Sequence, residues 1–256
     1  MTLAHEEVGS GKPVVLLHGF PLDRGMWRPQ LAGLSGKCRL LVPDLPGFGD
    51  SALLSGTPTM ESMADAVALW LDHLQLKDKV ILGGLSMGGY VSFAFARKYP
   101  DRLRGLILAD TRAEADDDAA RANRDRMIGF ASTNPASAVI EQMIPRLIGS
   151  STQSRNPERV EEIRLIGSRQ RPAGILAALQ ALRNRPDSIS TLPLIQVPTL
   201  ILVGQEDGLT PPSVAEIMRS KIRKATLVEL PQAGHMANLE APGPFNDAVA
   251  QFVGGL

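Results

Sequence analysis

A serine between two glycines is the residue of this chain whose type and setting predict chemistry most directly. Residues 84–88 read Gly-Leu-Ser-Met-Gly, with Ser86 at the centre. An apolar run at 80–82 precedes this pentapeptide, and a helix-compatible stretch at 90–98 follows it. A tight turn between a strand and a helix lifts a serine hydroxyl clear of the sheet, and glycines leave room for the close chain crossing that such a turn requires. We therefore interpret Ser86 as a nucleophile.

A serine hydroxyl is a weak nucleophile near neutral pH, so Ser86 needs a general base. The chain has four histidines. His5 lies in a predicted edge strand, His18 in a loop, and His73 on a predicted helix. His235 follows the apolar run 227–230 in the sequence Ala-Gly-His. We predict that His235 is the base; the alternative is a loop histidine that makes an ordinary hydrogen bond.

A carboxylate is expected beside this histidine, because it fixes the tautomer of the base and stabilises the imidazolium that forms. Asp207 follows the apolar run 200–203 in the sequence Gly-Gln-Glu-Asp and is the leading candidate. Glu206 is adjacent to it. Asp110 is a further alternative, because it also ends an apolar run, at 106–109. Composition does not decide between these carboxylates.

The elements that position these residues are buried strands alternating with helix-like segments. Fully apolar runs are typical of central parallel strands, and this alternation predicts a mostly parallel sheet covered by helices on both faces. The candidate serine, aspartate and histidine each lie just past the carboxyl end of a strand, the side where such sheets bind ligands. Further predicted elements are an antiparallel edge strand at 3–8, strands at 14–17, 38–42 and 105–109, and a helix capped by Thr57 with Pro58 as its first residue.

The order Ser, Asp, His, with the loop His18-Gly19-Phe20-Pro21 after the first central strand, resembles the α/β-hydrolase superfamily. The resemblance runs from about residue 3 to the C-terminus. Within the superfamily, residues 109–116 and the short insertion that follows look most like 3-oxoadipate enol-lactonases and related small carboxylesterases. The resemblance implies an α/β-hydrolase fold, with a mostly parallel central sheet flanked by helices and a helical cap insertion.

The same resemblance implies an oxyanion hole and a substrate pocket. The backbone N–H groups of Phe20 and Met87 are the expected oxyanion donors, and His18 is expected to hold its loop by hydrogen bonds. Methionine and aromatic side chains are more often plain core than pocket. The other residues expected to line the pocket are Trp27, Met127, Phe130, Met143, Leu209 and Met236.

The chain divides into a core, predicted as 1–111 and 194–256, and a helical cap, predicted as 112–193. The cap segment has no lysine, but it has twelve arginines against ten acidic residues. Short helices are predicted at 117–131, 136–148, 158–168 and 174–182. In the superfamily such an insertion covers the active site and sets substrate choice. We interpret its arginines as a solvated surface balanced by acids, rather than as an anion-binding site.

Composition excludes several other classes. The 256 residues carry 27 basic and 27 acidic side chains with no long basic run, so neither nucleic acid nor a membrane is an expected partner. The single cysteine, Cys38, excludes an internal disulfide and is expected to be buried. No secretory signal or membrane-length apolar run occurs, which predicts a soluble cytoplasmic enzyme, monomeric or homo-oligomeric. No metal or cofactor motif occurs, so none is expected.

The resemblance implies hydrolysis of carboxylic esters or lactones of small substrates through an acyl-enzyme. Haloalkane dehalogenases and epoxide hydrolases are disfavoured, because they carry aspartate where this chain has Ser86. Three alternatives stay open: a cofactor-free perhydrolase or haloperoxidase-type enzyme, a C–C bond hydrolase, and a ligand receptor built on a hydrolase fold.

Overall fold

The computed structural model describes residues 2–256, which form a seven-stranded sheet. Across the sheet the strands lie in the order β1-β3-β2-β4-β5-β6-β7. β1 is antiparallel to β3, and the other neighbouring pairs are parallel. The sheet is therefore the mostly parallel one predicted, with the antiparallel strand at its edge. The strands are β1 (His5–Val8), β2 (Pro13–Leu17), β3 (Arg39–Pro43), β4 (Val80–Leu85), β5 (Leu103–Ala109), β6 (Thr199–Gly204) and β7 (Ala225–Leu230).

Each central strand contributes side chains to two hydrophobic cores, one on each face of the sheet. In β2, Val15 and Leu17 belong to one core, whereas Val14 and Leu16 belong to the other. All four are fully buried. Successive side chains of a strand point to opposite faces, so a strand covered on both sides needs an uninterrupted apolar run. Each such side chain stabilises the fold by roughly 1.5–3 kcal/mol through leaving water.

Helices cover both faces of the sheet, and the positions of the cores follow from them. One core contains residues of α2 and α3, and the other contains residues of α1 and α11. The helices are α1 (Arg28–Leu34), α2 (Met60–His73), α3 (Met87–Lys98), α4 (Asp118–Ala131), α5 (Ala136–Leu147), α6 (Ser150–Arg155), α7 (Pro157–Ser168), α8 (Pro172–Arg183), α9 (Pro212–Lys221), α10 (Ala237–Glu240) and α11 (Pro242–Gly254). Short 3₁₀ helices span Arg24–Trp27, Pro100–Arg102 and Ile189–Leu194.

The start of α2 differs from the prediction. The helix begins at Met60 with Thr59 as its cap, not at Pro58 with Thr57 as its cap. The backbone N–H of Ser62 donates to the hydroxyl of Thr59 (3.0 Å), and the N–H of Thr59 donates to the hydroxyl of Ser62 (2.9 Å). This reciprocal pair satisfies two backbone donors at once, which is the physical reason that the helix starts here.

Five helices, α4 to α8, lie between β5 and β6, in the segment predicted to be the cap. α4 packs on α8 and α5 packs on α7. The short polar helix α6 was not among the predicted helices, whereas the other four fall close to their predicted positions. That residues 112–193 act as a separate cap stays a prediction. Within residues 2–256, none of the helices is both long enough and apolar enough to cross a membrane.

The cap of α2 can be tested by comparing the two threonines. Thr59→Ala removes an acceptor for the first turn, so it should lower the free energy of unfolding by about 1 kcal/mol. Thr57→Ala changes an exposed residue outside the cap, so its effect should stay within about 0.5 kcal/mol. Urea unfolding followed by circular dichroism measures both. An equal or larger loss for Thr57→Ala would contradict the observed start of the helix.

Candidate active site

Ser86 lies in the turn between β4 and α3 with an unusual backbone. Its φ is 53° and its ψ is −109°, in a region that residues other than glycine rarely occupy. A Cβ atom on Gly84 would come within 2.1 Å of the backbone of Gly88. A Cβ atom on Gly88 would come within 2.3 Å of the carbonyl oxygen of Leu17. The two glycines of the motif are therefore required by backbone-to-backbone packing, as the sequence indicated.

Ser86, His235 and Asp207 form a continuous hydrogen-bonded series. His235 Nε2 is 2.8 Å from Ser86 Oγ, and His235 Nδ1 is 2.8 Å from Asp207 Oδ2. Ser86 follows β4, Asp207 follows β6 and His235 follows β7, so three strand ends bring the side chains together. His235 and Asp207 are almost completely buried. This arrangement can move a proton from the serine hydroxyl to the imidazole while a carboxylate faces the other ring nitrogen.

Asp207 is held as a carboxylate by several donors. The backbone N–H groups of Leu209 (2.8 Å) and Thr210 (2.9 Å) donate to Oδ1, and the hydroxyl of Thr210 donates to Oδ2 (2.6 Å). Burial works to raise the pKa of Asp207. The charge of His235 and the hydrogen bonds from His235 and Thr210 outweigh burial and lower that pKa to about 2. Asp207 is therefore ionised across the neutral range and orients the imidazole.

The two rival carboxylates have other partners. Asp110 is fully buried and takes its only hydrogen bond of standard geometry within residues 2–256 from the backbone N–H of Gly204 (2.9 Å). Burial raises the pKa of Asp110 well above its usual range, and the negative charge of Asp207 adds to the shift. Glu206 accepts from the N–H of Ser151 (2.8 Å) and the hydroxyl of Ser150 (3.1 Å). Of the three carboxylates, Asp207 is the one that contacts His235.

The backbone N–H groups of Phe20 and Met87 are free of acceptors within residues 2–256. Met87 is the first residue of α3, where a helix leaves its N–H groups unpaired. The loop carrying Phe20 is fixed by His18, whose Nε2 accepts from the N–H of Leu45 (2.9 Å). The proton of a neutral His18 is then on Nδ1, 3.1 Å from the carbonyl oxygen of Gly19. Burial lowers the pKa of His18, which favours this neutral form.

A cavity of about 210 Å³ opens above Ser86 and His235. Four predicted residues line it: Phe20, Met127, Met143 and Leu209. It lies between the carboxyl ends of the strands and residues of α4, α5 and α8. The insertion between β5 and β6 therefore provides much of the wall that a substrate would contact.

Four residues predicted for the pocket do not line it, and one of them, Met87, is fully buried in a core. Trp27 is buried against Phe245, with ring centroids 6.0 Å apart. Met236 is fully buried in the core on the same face of the sheet. Phe130 packs against the core on the other face. Residue type did not reveal that these side chains pack in or against the cores and not in the cavity.

Several cavity residues were missed by the sequence reasoning. They are Tyr90, Arg112, Asp116, Ala120, Asn123, Arg124, Gln142, Arg146, Leu147, Leu179, Leu182, Arg185 and Thr210. Thr210 had a readable signal, because a threonine three positions after an aspartate often bonds its carboxylate in a turn. Four arginines of the insertion line the cavity, whereas others are paired with acids away from it, as Arg164 is with Glu141.

Two other groups carry no catalytic feature. Cys38 is buried as expected, and burial raises the pKa of its thiol to about 11, so it is not a reactive thiolate. Among residues 2–256, His, Cys, Asp and Glu side chains form no group of three or more suited to hold a metal ion.

Comparison with known proteins places the chain among hydrolases. A thermophilic esterase from Thermogutta terrifontis, solved with malate bound, has a TM-score of 0.96 and 46% identity over 99% of this chain and 93% of that one. An enol-lactonase from Burkholderia xenovorans has a TM-score of 0.90 and 27% identity over 98% of this chain and 96% of that one.

Curated relatives agree with this placement. A pimeloyl-[acyl-carrier protein] methyl ester esterase from Chromobacterium violaceum is 30% identical over 98% of both chains. The chain spans 64% of the length of another relative, a dihydrolipoyllysine-residue acetyltransferase component of an acetoin cleaving system from Pseudomonas putida, at 30% identity. Residues 12–242, which include the serine, aspartate and histidine at the strand ends, match the family described as alpha/beta hydrolase fold. The chain belongs to the α/β-hydrolase family.

Proposed function

We propose that this protein is a serine hydrolase that cleaves carboxylic esters or lactones of small substrates through an acyl-enzyme. The observation that carries the proposal is the pair of 2.8 Å contacts that connect Ser86 to His235 and His235 to Asp207 at the floor of a cavity. A nucleophile, a base and an orienting carboxylate are the parts that acyl transfer needs.

In the first half-reaction, Ser86 Oγ attacks the carbonyl carbon while His235 Nε2 takes the hydroxyl proton. Nε2 is free to accept when Nδ1 carries the other proton and donates to Asp207 Oδ2, which fixes the tautomer. The hydroxyl of Thr210 then donates to the same carboxylate oxygen, so it supports this arrangement. The N–H groups of Phe20 and Met87 stabilise the oxyanion, and collapse of the intermediate transfers the proton of His235 to the leaving alkoxide.

In the second half-reaction, water replaces the alcohol. His235 takes a proton from the water as it attacks the acyl carbon, and Ser86 recovers its proton when the acid departs. For a lactone the alkoxide stays attached to the acyl group, so one ring-opened hydroxy acid is the product. Each step uses groups of this chain that lie at the strand ends, and the helices α4, α5 and α8 act as a cap that shapes the space for the substrate.

Ester or lactone chemistry is further supported by the relatives. The esterase from Thermogutta terrifontis, the methyl ester esterase and the enol-lactonase all align with nearly the whole chain. These names favour a carbonyl ester as the group attacked by Ser86.

Removal of the nucleophile is the first test. Ser86→Ala should stay folded and lose kcat/KM for p-nitrophenyl esters on the order of 10⁶-fold, the scale of nucleophile removal in a serine triad. A fluorophosphonate probe should label Ser86 in the native protein, as read by peptide mass spectrometry. Ser92→Ala is the matched control and should keep its esterase activity. Ser92 lies on α3, the helix that follows Ser86, and its buried hydroxyl donates to the carbonyl oxygen of Gly88 (2.8 Å). Labelling of another residue, or turnover by Ser86→Ala at the native rate, would remove the proposed role.

The two buried aspartates should respond differently to the same change. Asp207→Asn should keep the fold and lower kcat by ~10⁴, because the amide no longer fixes the productive tautomer of His235. Asp110→Asn should stay within about tenfold in kcat, or about 1.4 kcal/mol, since Asp110 does not contact the imidazole. Steady-state kinetics of both purified variants, with circular dichroism to confirm folding, makes the comparison. The reverse ranking would transfer the acid role to Asp110.

The dependence of stability on pH should also separate the aspartates. A carboxyl group whose pKa is raised in the folded state contributes stability below its unfolded pKa, about 3.9, that is lost as pH rises towards its folded pKa. The raised pKa of Asp110 therefore costs the native protein stability as pH rises from about 4, whereas Asp110→Asn lacks this loss. In denaturant unfolding from about pH 4 upwards, the free energy of unfolding of Asp110→Asn should increase relative to that of the native protein. A difference in stability that does not change with pH would contradict the raised pKa of Asp110.

A further inference from the structure

The cavity above Ser86 has a charge that the chain as a whole does not have. Its lining includes four arginines and a single carboxylate: Arg112, Arg124, Arg146, Arg185 and Asp116. This is a formal surplus of three positive charges while His235 is neutral. The chain carries equal numbers of acidic and basic residues, so the surplus is a local property of this site.

Asp116 balances part of this charge and holds two of the arginines in place. Its Oδ1 is 2.7 Å from Nη1 of Arg185, and its Oδ2 is 3.0 Å from Nε of Arg124. The Asp116 and Arg185 side chains are 4% and 3% exposed. Arg185 also stacks over the ring of Tyr90, 4.3 Å from its centroid. Arg124 and Arg185 therefore form one side of the cavity together with Asp116, and the three side chains carry a net formal charge of one positive unit.

Arg112 has no such partner. Within residues 2–256 it makes no ion pair, and its one hydrogen bond is a long contact of 3.4 Å from Nη2 to the carbonyl oxygen of Leu209. Its Nε is buried and has no acceptor. A buried guanidinium donor without a protein acceptor has lost hydration, so an acceptor that enters the cavity would compensate it; Nε of Arg185, in the same lining, is also without a protein acceptor.

Arg146 adds a second unpaired charge from α5. Within the described residues it makes no ion pair or side-chain hydrogen bond, and it is exposed at the last turn of the helix. A positive charge near the C-terminus of a helix interacts favourably with the helix dipole, which explains the position of Arg146 on α5. That explanation does not apply to Arg112, which lies outside the helices. Several other arginines of the insertion are paired with acids, as in Arg164 with Glu141 and Arg183 with Asp125.

We propose that the ester or lactone taken by this cavity carries a carboxylate, which Arg112 binds and Arg146 attracts. The inference rests on the proposed function for the identity of the group that Ser86 attacks. The planar guanidinium of arginine donates two parallel hydrogen bonds to a carboxylate, and a negative charge enters a desolvated site only when it is paired there. A cavity of about 210 Å³ has room for a short-chain half-ester of a dicarboxylic acid.

A charge series of matched esters tests the inference. The three substrates are monoethyl glutarate, the neutral analogue in which a methyl ketone replaces the carboxylate, and a trimethylammonium analogue of the same length. The native protein should favour the anionic ester over the neutral one by about tenfold or more in kcat/KM at low salt, mainly through KM. The cationic ester should be the poorest. Added salt should reduce the preference, because it screens the arginines.

Variants assign the preference to particular arginines. Arg112→Gln should lower the anionic-to-neutral ratio of kcat/KM by about tenfold, and Arg146→Gln should lower it less, because its side chain is more hydrated. Arg183→Gln is the matched control, since it removes a paired arginine of the insertion that does not line this cavity. An unchanged ratio in both cavity variants, or a ratio near one in the native protein, would overturn the inference.

Binding without turnover separates this inference from the proposed function. Calorimetry with Ser86→Ala should show monoethyl glutarate binding and much weaker binding of the methyl ketone analogue. If that holds while the native protein cleaves neither ester, the carboxylate site stands and the proposed hydrolysis fails. If the native protein cleaves both esters equally and the variant binds both equally, hydrolysis stands and the carboxylate site fails. Tighter binding of inorganic phosphate than of glutarate would also overturn the carboxylate assignment.

Discussion

The structure depends on close backbone packing at the carboxyl end of the sheet. At Gly84 and Gly88 the turn of Ser86 touches its own helix and the end of β2, with no space for a Cβ atom. The same constraint holds beneath the other two loops, where a Cβ atom on Gly204 would come within 2.2 Å of the carbonyl oxygen of Gly234. The contacts at Gly84 and Gly88 hold the turn of Ser86 against β2, and the contact at Gly204 holds the loops of Asp207 and His235 against each other. Direct backbone packing therefore holds each loop in place where the three side chains meet.

Backbone packing of this kind also determines which buried acid is charged. Asp207 lies in a loop that turns its N–H groups back onto the carboxylate, and the hydroxyl of Thr210 adds a further donor. Asp110, at the end of the neighbouring strand, receives one backbone N–H, and burial together with the negative charge of Asp207 raises its pKa well above the usual range. Burial and a neighbouring negative charge both disfavour ionisation of a carboxyl group. The loop geometry therefore stabilises the charge of Asp207 beside the imidazole, whereas the surroundings of Asp110 disfavour a charge there.

The fold was predictable where burial on two faces leaves an uninterrupted apolar run, as in β2, β4 and β6. Strand ends then gave the positions of Ser86, Asp207 and His235, whose catalytic roles remain predictions. Features that depend on local alternatives were not predictable. Helix α2 is capped by Thr59 because Thr59 and Ser62 form reciprocal hydrogen bonds. The nearby pair Thr57-Pro58 has the same residue types as a helix start, so the sequence pattern predicted the wrong cap. Neighbours that are distant in sequence determine where the side chains of Trp27, Phe130 and Met236 pack. They also determine which arginines form ion pairs, as Arg183 does with Asp125.

The arginines show why whole-chain charge is a poor guide to a site. Equal numbers of acids and bases describe the average surface, but a desolvated cavity responds to the few charges that line it and are screened least by water. In the insertion, Arg112 lines the cavity of Ser86 without an ion pair, and its buried Nε has no protein acceptor within residues 2–256, as is also true of Nε of the paired Arg185. The core and the insertion thus contribute different properties to the site. Rigid backbone contacts under the sheet edge hold the loops of Ser86, Asp207 and His235, while long side chains from the insertion set the charge of the cavity above them.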